Sequence, residues 1–425
     1  MPVTWCENLD LEAIATRVGT PFYLYDGATL RERIAAVKRL TAGRGLQARY
    51  AMKACSLRRV LEVMRENDIW IDAVSGNEVL RARAAGLAMG AEPPVVLLTA
   101  DVFRDNALEV VQRHGILPNV GSPGMLQALA EQGYRGPVGF RLNPGFGHGH
   151  VQACDTGGPS SKHGLWHEDD APVRNEAEKL GLPVVLLHAH IGTGPQIEEF
   201  NQNMRRLGDF FSARIRDYPH VGGVALGGGI PHPYRPDVPT IDLEELGRIM
   251  VALQKQVSGA AGREIRVEIE PGRYFVAPAA VLVARVTDVK NTRTNEKGPG
   301  HLFTMVDAGF CDLIRPAMYG SYHHITVHGR GGPLVRSAVA GPLCESGDVF
   351  TRDAEELIEP RLMPQARPGD LIVLHDAGAY GAAMSSNYNS IGRVPQVWRE
   401  DGKNFLLSRR ETFDDIVRTE TFEAL

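Results

Sequence analysis

Between about residues 30 and 275, short β-branched and apolar runs alternate with segments of helical period, and no other feature constrains the fold as much. Eight runs read as strands: 47–54, 69–75, 94–100, 115–122, 138–144, 184–192, 223–229 and 265–271. In 57–67, Leu57, Val60, Leu61 and Met64 recur at i, i+3, i+4 and i+7, with Ser56 placed to cap the first turn. The segments 77–87, 103–113, 125–132, 173–180, 197–216 and 243–257 share that period. Eight strands alternating with helices predict a parallel (β/α)8 barrel of TIM type.

After about residue 275 the period changes. Runs at 274–289, 301–306, 325–328, 334–340, 370–374, 396–400 and 404–410 read as strands with little helix between them. They predict a second, C-terminal domain, a mainly antiparallel β-barrel. The expected division is the (β/α)8 barrel over 30–274 and a β domain built from 1–29 and 275–425. The segment 21–25 is strand-like and could join either. The stretch 145–170, rich in Gly and His, reads as an ordered loop over the barrel mouth.

Composition narrows the function. Lys and Arg number 46 against 51 Asp and Glu, a net charge of −5. That mild acidity argues against nucleic acid and against a membrane surface as partners. Five cysteines without CxxC spacing argue against a disulfide framework and for a reducing compartment. The opening MPVTWCENLDLE has neither a basic nor an apolar region, so no secretory signal is expected. The longest nearly apolar run, 275–284, is interrupted by Pro278 and falls short of the roughly 20 residues of a spanning helix. A soluble, cytoplasmic protein is expected.

Catalytic groups of such barrels sit at strand C-termini, and phosphate sites form after strands seven and eight. Here the seventh run ends in Gly227, Gly228 and Gly229, and the eighth in Glu270-Pro271-Gly272-Arg273. Glycine admits backbone N–H groups to a phosphate, and an arginine fork matches its oxygens. Lys53 ends the first run among apolar neighbours, where burial would lower its pKa as a Schiff-base lysine requires. Alone it reads as a strand-end lysine reaching solvent. Beside a phosphate site it points to pyridoxal phosphate. Glu270 would pair with a protonated pyridine nitrogen, or else with Arg273 or another barrel residue. Asp72, Ser75, Arg141 and Asn143 end other strands. His188 and His190, at i and i+2, read as one packing and one ligand-facing histidine rather than a metal pair. The pairs His148/His150 and His323/His324 are weak metal signals, and no metal is expected. Cys344, flanked by acids, reads as a neutral thiol, either a proton donor or a structural cysteine.

At this point the motifs resemble those of the diaminopimelate decarboxylases, fold type III pyridoxal-phosphate enzymes akin to ornithine decarboxylase and, more distantly, alanine racemase. They are YAMKACS (50–56), RLNPGFGHGH (141–150), SKHGLW (161–166), HAHIGTG (188–194), GGG (227–229), EIEPGR (268–273), VDAGFCDLIRPAMYGSYHHI (306–325), AGPLCESGDVF (340–350) and GAYGAAMSSNYNS (378–390). The resemblance implies that Lys53 holds the cofactor covalently and His190 stacks on its ring. Thr193, where the family usually has Ser, with Gly227, Gly228, Gly229, Gly272 and Arg273, would hold the phosphate. Glu270 would face the ring nitrogen, and Tyr380 cofactor and substrate. Arg273, Arg315 and Tyr319 would bind the substrate's remote carboxylate, and Glu345 its remote ammonium. Cys344 and Glu345 would come from the second subunit of a homodimer with shared active sites. Lys162 and Asp348 match positions that pair across the ornithine decarboxylase dimer.

The implied reaction is decarboxylation of meso-2,6-diaminopimelate to L-lysine and CO2, the last step of lysine biosynthesis. An arginine left without a carboxylate penalises ornithine. The alternatives are a decarboxylase of another basic amino acid and a non-catalytic homologue carrying the cofactor. Retention of Arg315, Tyr319 and Glu345 argues against the first, and of Lys53, Glu270 and Cys344 against the second. A metal-dependent barrel hydrolase is a third reading, which a yellow purified protein would disfavour.

Overall fold

The structure, a computed structural model, describes residues 5–147, 149, 155–194, 196–353 and 355–423. His148, His150 and Cys154 lie outside the described residues. The chain divides into two compact units, one of Arg31–His232 with Thr240–Phe275, the other of Met1–Leu30, Pro233–Pro239 and Val276–Leu425.

The strands up to residue 275 are β1 (Phe22–Asp26), β2 (Leu46–Ala51), β3 (Trp70–Ala73), β4 (Val96–Thr99), β5 (Leu117–Val120), β6 (Val138–Asn143), β7 (Leu165–Trp166), β8 (Val184–His188), β9 (Gly223–Ala225) and β10 (Arg266–Ile269). In the first unit, parallel pairing runs β5-β4-β3-β2-β10-β9-β8-β6, and β5 pairs with β6 to close the ring. This is the eight-stranded parallel barrel expected. The two-residue β7 adds beside β6.

Most of the strands stop earlier than their runs. At the mouth the chain leaves the ladder to enter the loops, while the polar residues there still sit in apolar surroundings and read as strand. Lys53 lies beyond β2, on the one-turn helix Met52–Ala54. Gly227–Gly229 follow β9, His190 follows β8 by two residues, and Glu270 follows β10 directly. Ser56 does not cap: the helix Arg58–Glu66 starts from Leu57 with no side-chain cap bond. Ser75 and Ser122 do cap, accepting from the amides of Glu78 and Met125.

The barrel interior carries a fully buried ion pair, Arg49 with Glu268, both side chains 0% exposed. Arg49 also donates to the carbonyls of Pro94 (2.6 Å) and Val95 (3.1 Å), and Arg266 Nε reaches Glu268 at 2.7 Å. The ring of Trp70 stacks with both guanidiniums. The charges are therefore paired and their donors used, the condition for burying them at all.

The second unit contains β1 with β11 (Ala280–Asn291), β12 (Leu302–Val306), β13 (Ile325–Val327), β14 (Leu334–Ala340), β15 (Arg361–Pro364), β16 (Leu371–Leu374), β17 (Gln396–Glu400) and β18 (Lys403–Ser408). They pair in the order β15-β14-β12-β11-β1-β17-β18, with β16 joining β11 and β13. Pairing is antiparallel except β1–β17 and β12–β14. The strand-like segment 21–25 thus joins this sheet. The run at 274–289 is corrected at its start: Arg273–Val276 is helical and Ala277–Ala279 is a 3-10 turn with Pro278 near its start, so β11 begins only at Ala280. β15 went unread because it is four residues long and ends in Pro364, as an edge strand can.

Replacing Glu268 by Leu leaves a buried guanidinium without its counter-charge. It should cost about 3–5 kcal/mol of stability, and Arg49→Met in the same chain should recover most of that loss. Urea denaturation of the single and double variants measures both.

Candidate active site

In the barrel unit, the candidate groups gather where the strands end. Glu270 is 4% exposed and its Oε2 lies 2.9 Å from His188 Nε2. Its other oxygen, Oε1, is buried with no hydrogen-bond partner among the described residues. Asp72, on β3, is 5% exposed, and its Oδ1 is equally without a hydrogen bond. Burial, and then the charge of Glu270, push the Asp72 carboxyl up to about 8. Burial alone would raise Glu270 too. The charge and hydrogen bond of His188, with Arg49 and Arg141 behind, outweigh it and hold Glu270 below the ordinary carboxylate value. Two carboxyls sharing one interior are thereby driven apart, with Glu270 ionised and Asp72 protonated at neutral pH.

His190 is partly exposed, with Nδ1 buried. Burial, then the charges of Lys53 and Arg141, lower its pKa well below the ordinary value, so its ring is uncharged. It packs on Gly227: a Cβ there, at φ +69°, would sit 2.5 Å from His190 Nδ1. A Cβ on Gly228 would sit 2.5 Å from the Glu270 carbonyl oxygen. The triplet therefore brings both groups close to the loop backbone. Gly272 is buried, and Thr193 and Arg273 are half-buried. Lys53 is exposed, not enclosed by the wall as its apolar neighbours implied, because β2 has already ended; only Met52 and Ala54 are buried. Its charge still acts on Asp72, Glu78 and His190.

Sequence reasoning placed His188 and Asp72 at strand ends but gave neither a role toward Glu270. Their alternating positions carried the signal; their distances did not. It also missed Asp101, which gathers His163 (2.8 Å), Lys162 (3.1 Å) and Arg141 (3.7 Å). Asn143 turned out to organise a loop, accepting from the amides of Gly145 and Gly158 and donating to the Gly158 carbonyl.

In the second unit, Arg315 and Tyr319 stand one turn apart on the helix Arg315–Tyr319. Arg315 is 2% exposed. It donates to His323 Nε2 (3.2 Å) and Ser321 Oγ (3.1 Å), and its guanidinium lies 4.8 Å from the Tyr234 ring centroid. Tyr380 is half-buried at φ +58°, a left-handed conformation rare for an aromatic residue and a mark of a constrained position. Cys344 and Glu345 are exposed on a loop whose frame is Asp348. The buried Asp348 carboxylate accepts from the amides of Phe310 (2.7 Å) and Leu343 (2.8 Å), and the Cys344 amide donates to Asn389 at 3.1 Å. Asp348 and Lys162 are thus each engaged within their own unit.

Do these residues fit pyridoxal phosphate? The buried, unpartnered Oε1 of an ionised Glu270 fits a protonated ring nitrogen, and the uncharged imidazole of His190 beside it fits an aromatic face. Among the described residues no set of three or more His, Cys, Asp or Glu side chains converges as a metal site. No helix among them is long and apolar enough to cross a membrane.

The raised Asp72 value has a consequence for stability. An unfolded aspartate loses its proton near pH 3.9, whereas the folded protein keeps it to about pH 8. Between those values the folded state binds the extra proton, so the contribution of Asp72 declines as pH rises. The slope should be at most about 1.4 kcal/mol per pH unit. Denaturation of cofactor-free protein at pH 5, 6, 7 and 8 should show a flatter profile for Asp72→Asn than for the parent.

Residues 28–277 match the pyridoxal-binding domain of the pyridoxal-dependent decarboxylases. The diaminopimelate decarboxylase of Streptomyces coelicolor is 40% identical over 415 residues, covering 96% of this chain and 91% of that protein. A crystal structure of a diaminopimelate decarboxylase superimposes with a TM-score of 0.88 at 38% identity, covering 96% of this chain and 95% of that one. The Helicobacter pylori diaminopimelate decarboxylase complexed with L-lysine gives 0.83 at 26% identity, over 96% of this chain and 98% of that one. The chain belongs to the diaminopimelate decarboxylases, within the pyridoxal-dependent decarboxylase family.

Proposed function

We propose that this enzyme uses pyridoxal 5'-phosphate to decarboxylate meso-2,6-diaminopimelate to L-lysine and CO2, closing lysine biosynthesis in the cytoplasm. The observation that carries the reading is Glu270, buried against His188 with one oxygen that has no hydrogen-bond partner among the described residues. Kinship over nearly the whole chain narrows the substrate. When bound, the cofactor supplies an electron sink for the pair left as CO2 departs.

The chain's own residues do the rest. Lys53 anchors the cofactor and later frees the product. His190 lies against its ring and Glu270 faces its nitrogen. Thr193, Gly227, Gly228, Gly229, Gly272 and Arg273 hold its phosphate, and Tyr380 touches cofactor and substrate. Arg315 and Tyr319, with Arg273, grip the carboxylate remote from the reacting centre, and Glu345 takes the remote ammonium. Those contacts orient the D-centre so that its carboxylate is the one to leave. Cys344 holds the proton returned to carbon.

Cys344 and Glu345 serve the neighbouring barrel of a homodimer. Their exposure, on a loop held rigid by Asp348, supports that assignment.

The purified enzyme should release CO2 from meso-diaminopimelate and not from lysine, ornithine or arginine. Arg315→Ala should lower kcat/KM by about ten- to a hundred-fold, the worth of a charge-assisted bond, while the visible cofactor band stays. An unchanged kcat/KM would remove Arg315 from the substrate site.

Sharing of the site has its own test. Lys53→Ala and Cys344→Ala chains should each be inactive alone, or nearly so. Refolded together in equal amounts, about half the dimers would be mixed, each with one intact site, so activity should return to about a quarter of wild type. No recovery with mixed dimers present would place Lys53 and Cys344 in the same subunit's site or leave Cys344 a structural role.

A further inference from the structure

The two oxygens of Glu270 meet different surroundings. Oε2 lies 2.9 Å from His188 Nε2, whereas Oε1 is buried with no hydrogen-bond partner among the described residues. A carboxylate only accepts, so the proton of this bond sits on Nε2. His188 is 1% exposed, and its Nδ1 has no hydrogen-bond partner either. The one hydrogen bond its ring makes among the described residues goes to Glu270.

The backbone leaves Glu270 little freedom. Its amide donates to the Gly227 carbonyl at 2.8 Å, and its own carbonyl is pressed against Gly228, where a Cβ would come within 2.5 Å. What remains is rotation of the side chain, and His188 at the end of β8 stops it. We infer that His188 is a positioning residue: by occupying Oε2 it keeps Glu270 charged and presents Oε1 to the cofactor's ring nitrogen. The inference rests on the proposed role of Glu270.

The charge distribution favours the same arrangement. Asp72 shares the interior with Glu270, whose charge raises the Asp72 carboxyl, so ionising both is costly. The His188 donor goes to Glu270. Asp72 has the Thr99 hydroxyl, a neutral hydrogen-bond partner, with the charges of Lys53 and Arg49 acting on it less strongly. Without His188 the preference between the two acids weakens, and a protonated Glu270 can no longer keep a proton on the ring nitrogen.

The test uses holoenzyme loaded with cofactor carrying 15N at the ring nitrogen. Wild type should give the shift of a protonated nitrogen. In His188→Leu the shift should move toward the unprotonated value, and kcat should fall about 10- to 100-fold, as for lost outer-shell partners of other reactive centres, with KM little changed. His188→Gln, which restores an N–H donor, should bring both back toward wild type; a purely structural histidine would not show that rescue in the nitrogen shift. Glu270→Gln is measured alongside. If it leaves the shift at the wild-type value, the reading of Glu270 itself fails. If it moves the shift and His188→Leu does not, that reading stands and the role of His188 is overturned. Should His188→Leu fail to fold or load, the 15N-histidine spectrum decides: the signal lost in His188→Gln must carry its proton on Nε2, and an unprotonated Nε2 overturns the inference.

Discussion

Closure of the parallel ladder governs everything at the candidate site. Once β5 pairs with β6, eight strand C-termini must open onto one face, and residues far apart in sequence become neighbours. His188 and Glu270 are 82 positions apart yet hydrogen-bonded, because β8 and β10 flank β9 in the ring. The Arg49–Glu268 pair belongs to the same closure. It joins adjacent strands β2 and β10 and ties them through carbonyls to the segment preceding β4. Such a pair adds little net stability over apolar packing, but it penalises any register that would separate its members.

The barrel interior uses burial selectively. It raises Asp72 and would raise Glu270, but the donors around Glu270 reverse the direction. The same low dielectric strips His190 of charge. One apolar environment thus yields an ionised acid, a protonated acid and an uncharged imidazole, because each has a different set of neighbours. These differences, rather than residue types, allow the mouth to receive a charged aromatic group.

In the β unit, loop order comes from backbone amides captured by carboxylates. Asp348 binds two amides and Glu345 binds the Gly347 amide at 2.6 Å, so the segment carrying Cys344 is held without regular secondary structure. Sequence reading treated Asp348 as a position matching a cross-subunit contact. Its burial and its two amide partners show a local framework that spacing cannot display, since any exposed loop aspartate looks the same in sequence.

The alternation of apolar runs determined the barrel, because strand and helix periods are written locally and eight repeats of them admit few other arrangements. The change of period near residue 275 likewise announced the second sheet, and the motif residues pointed to the cofactor. Strand ends were not legible: Lys53, His190 and the glycine triplet sit past the ladder, and hydrogen-bond partners, not local composition, decide where pairing stops. The sequence offered both a buried and a solvent-reaching Lys53 without choosing, and it could not say that Ser56 caps nothing or that His188 holds Glu270. Exposure, capping and charge depend on atoms brought together from distant segments, so only the tertiary structure decided them.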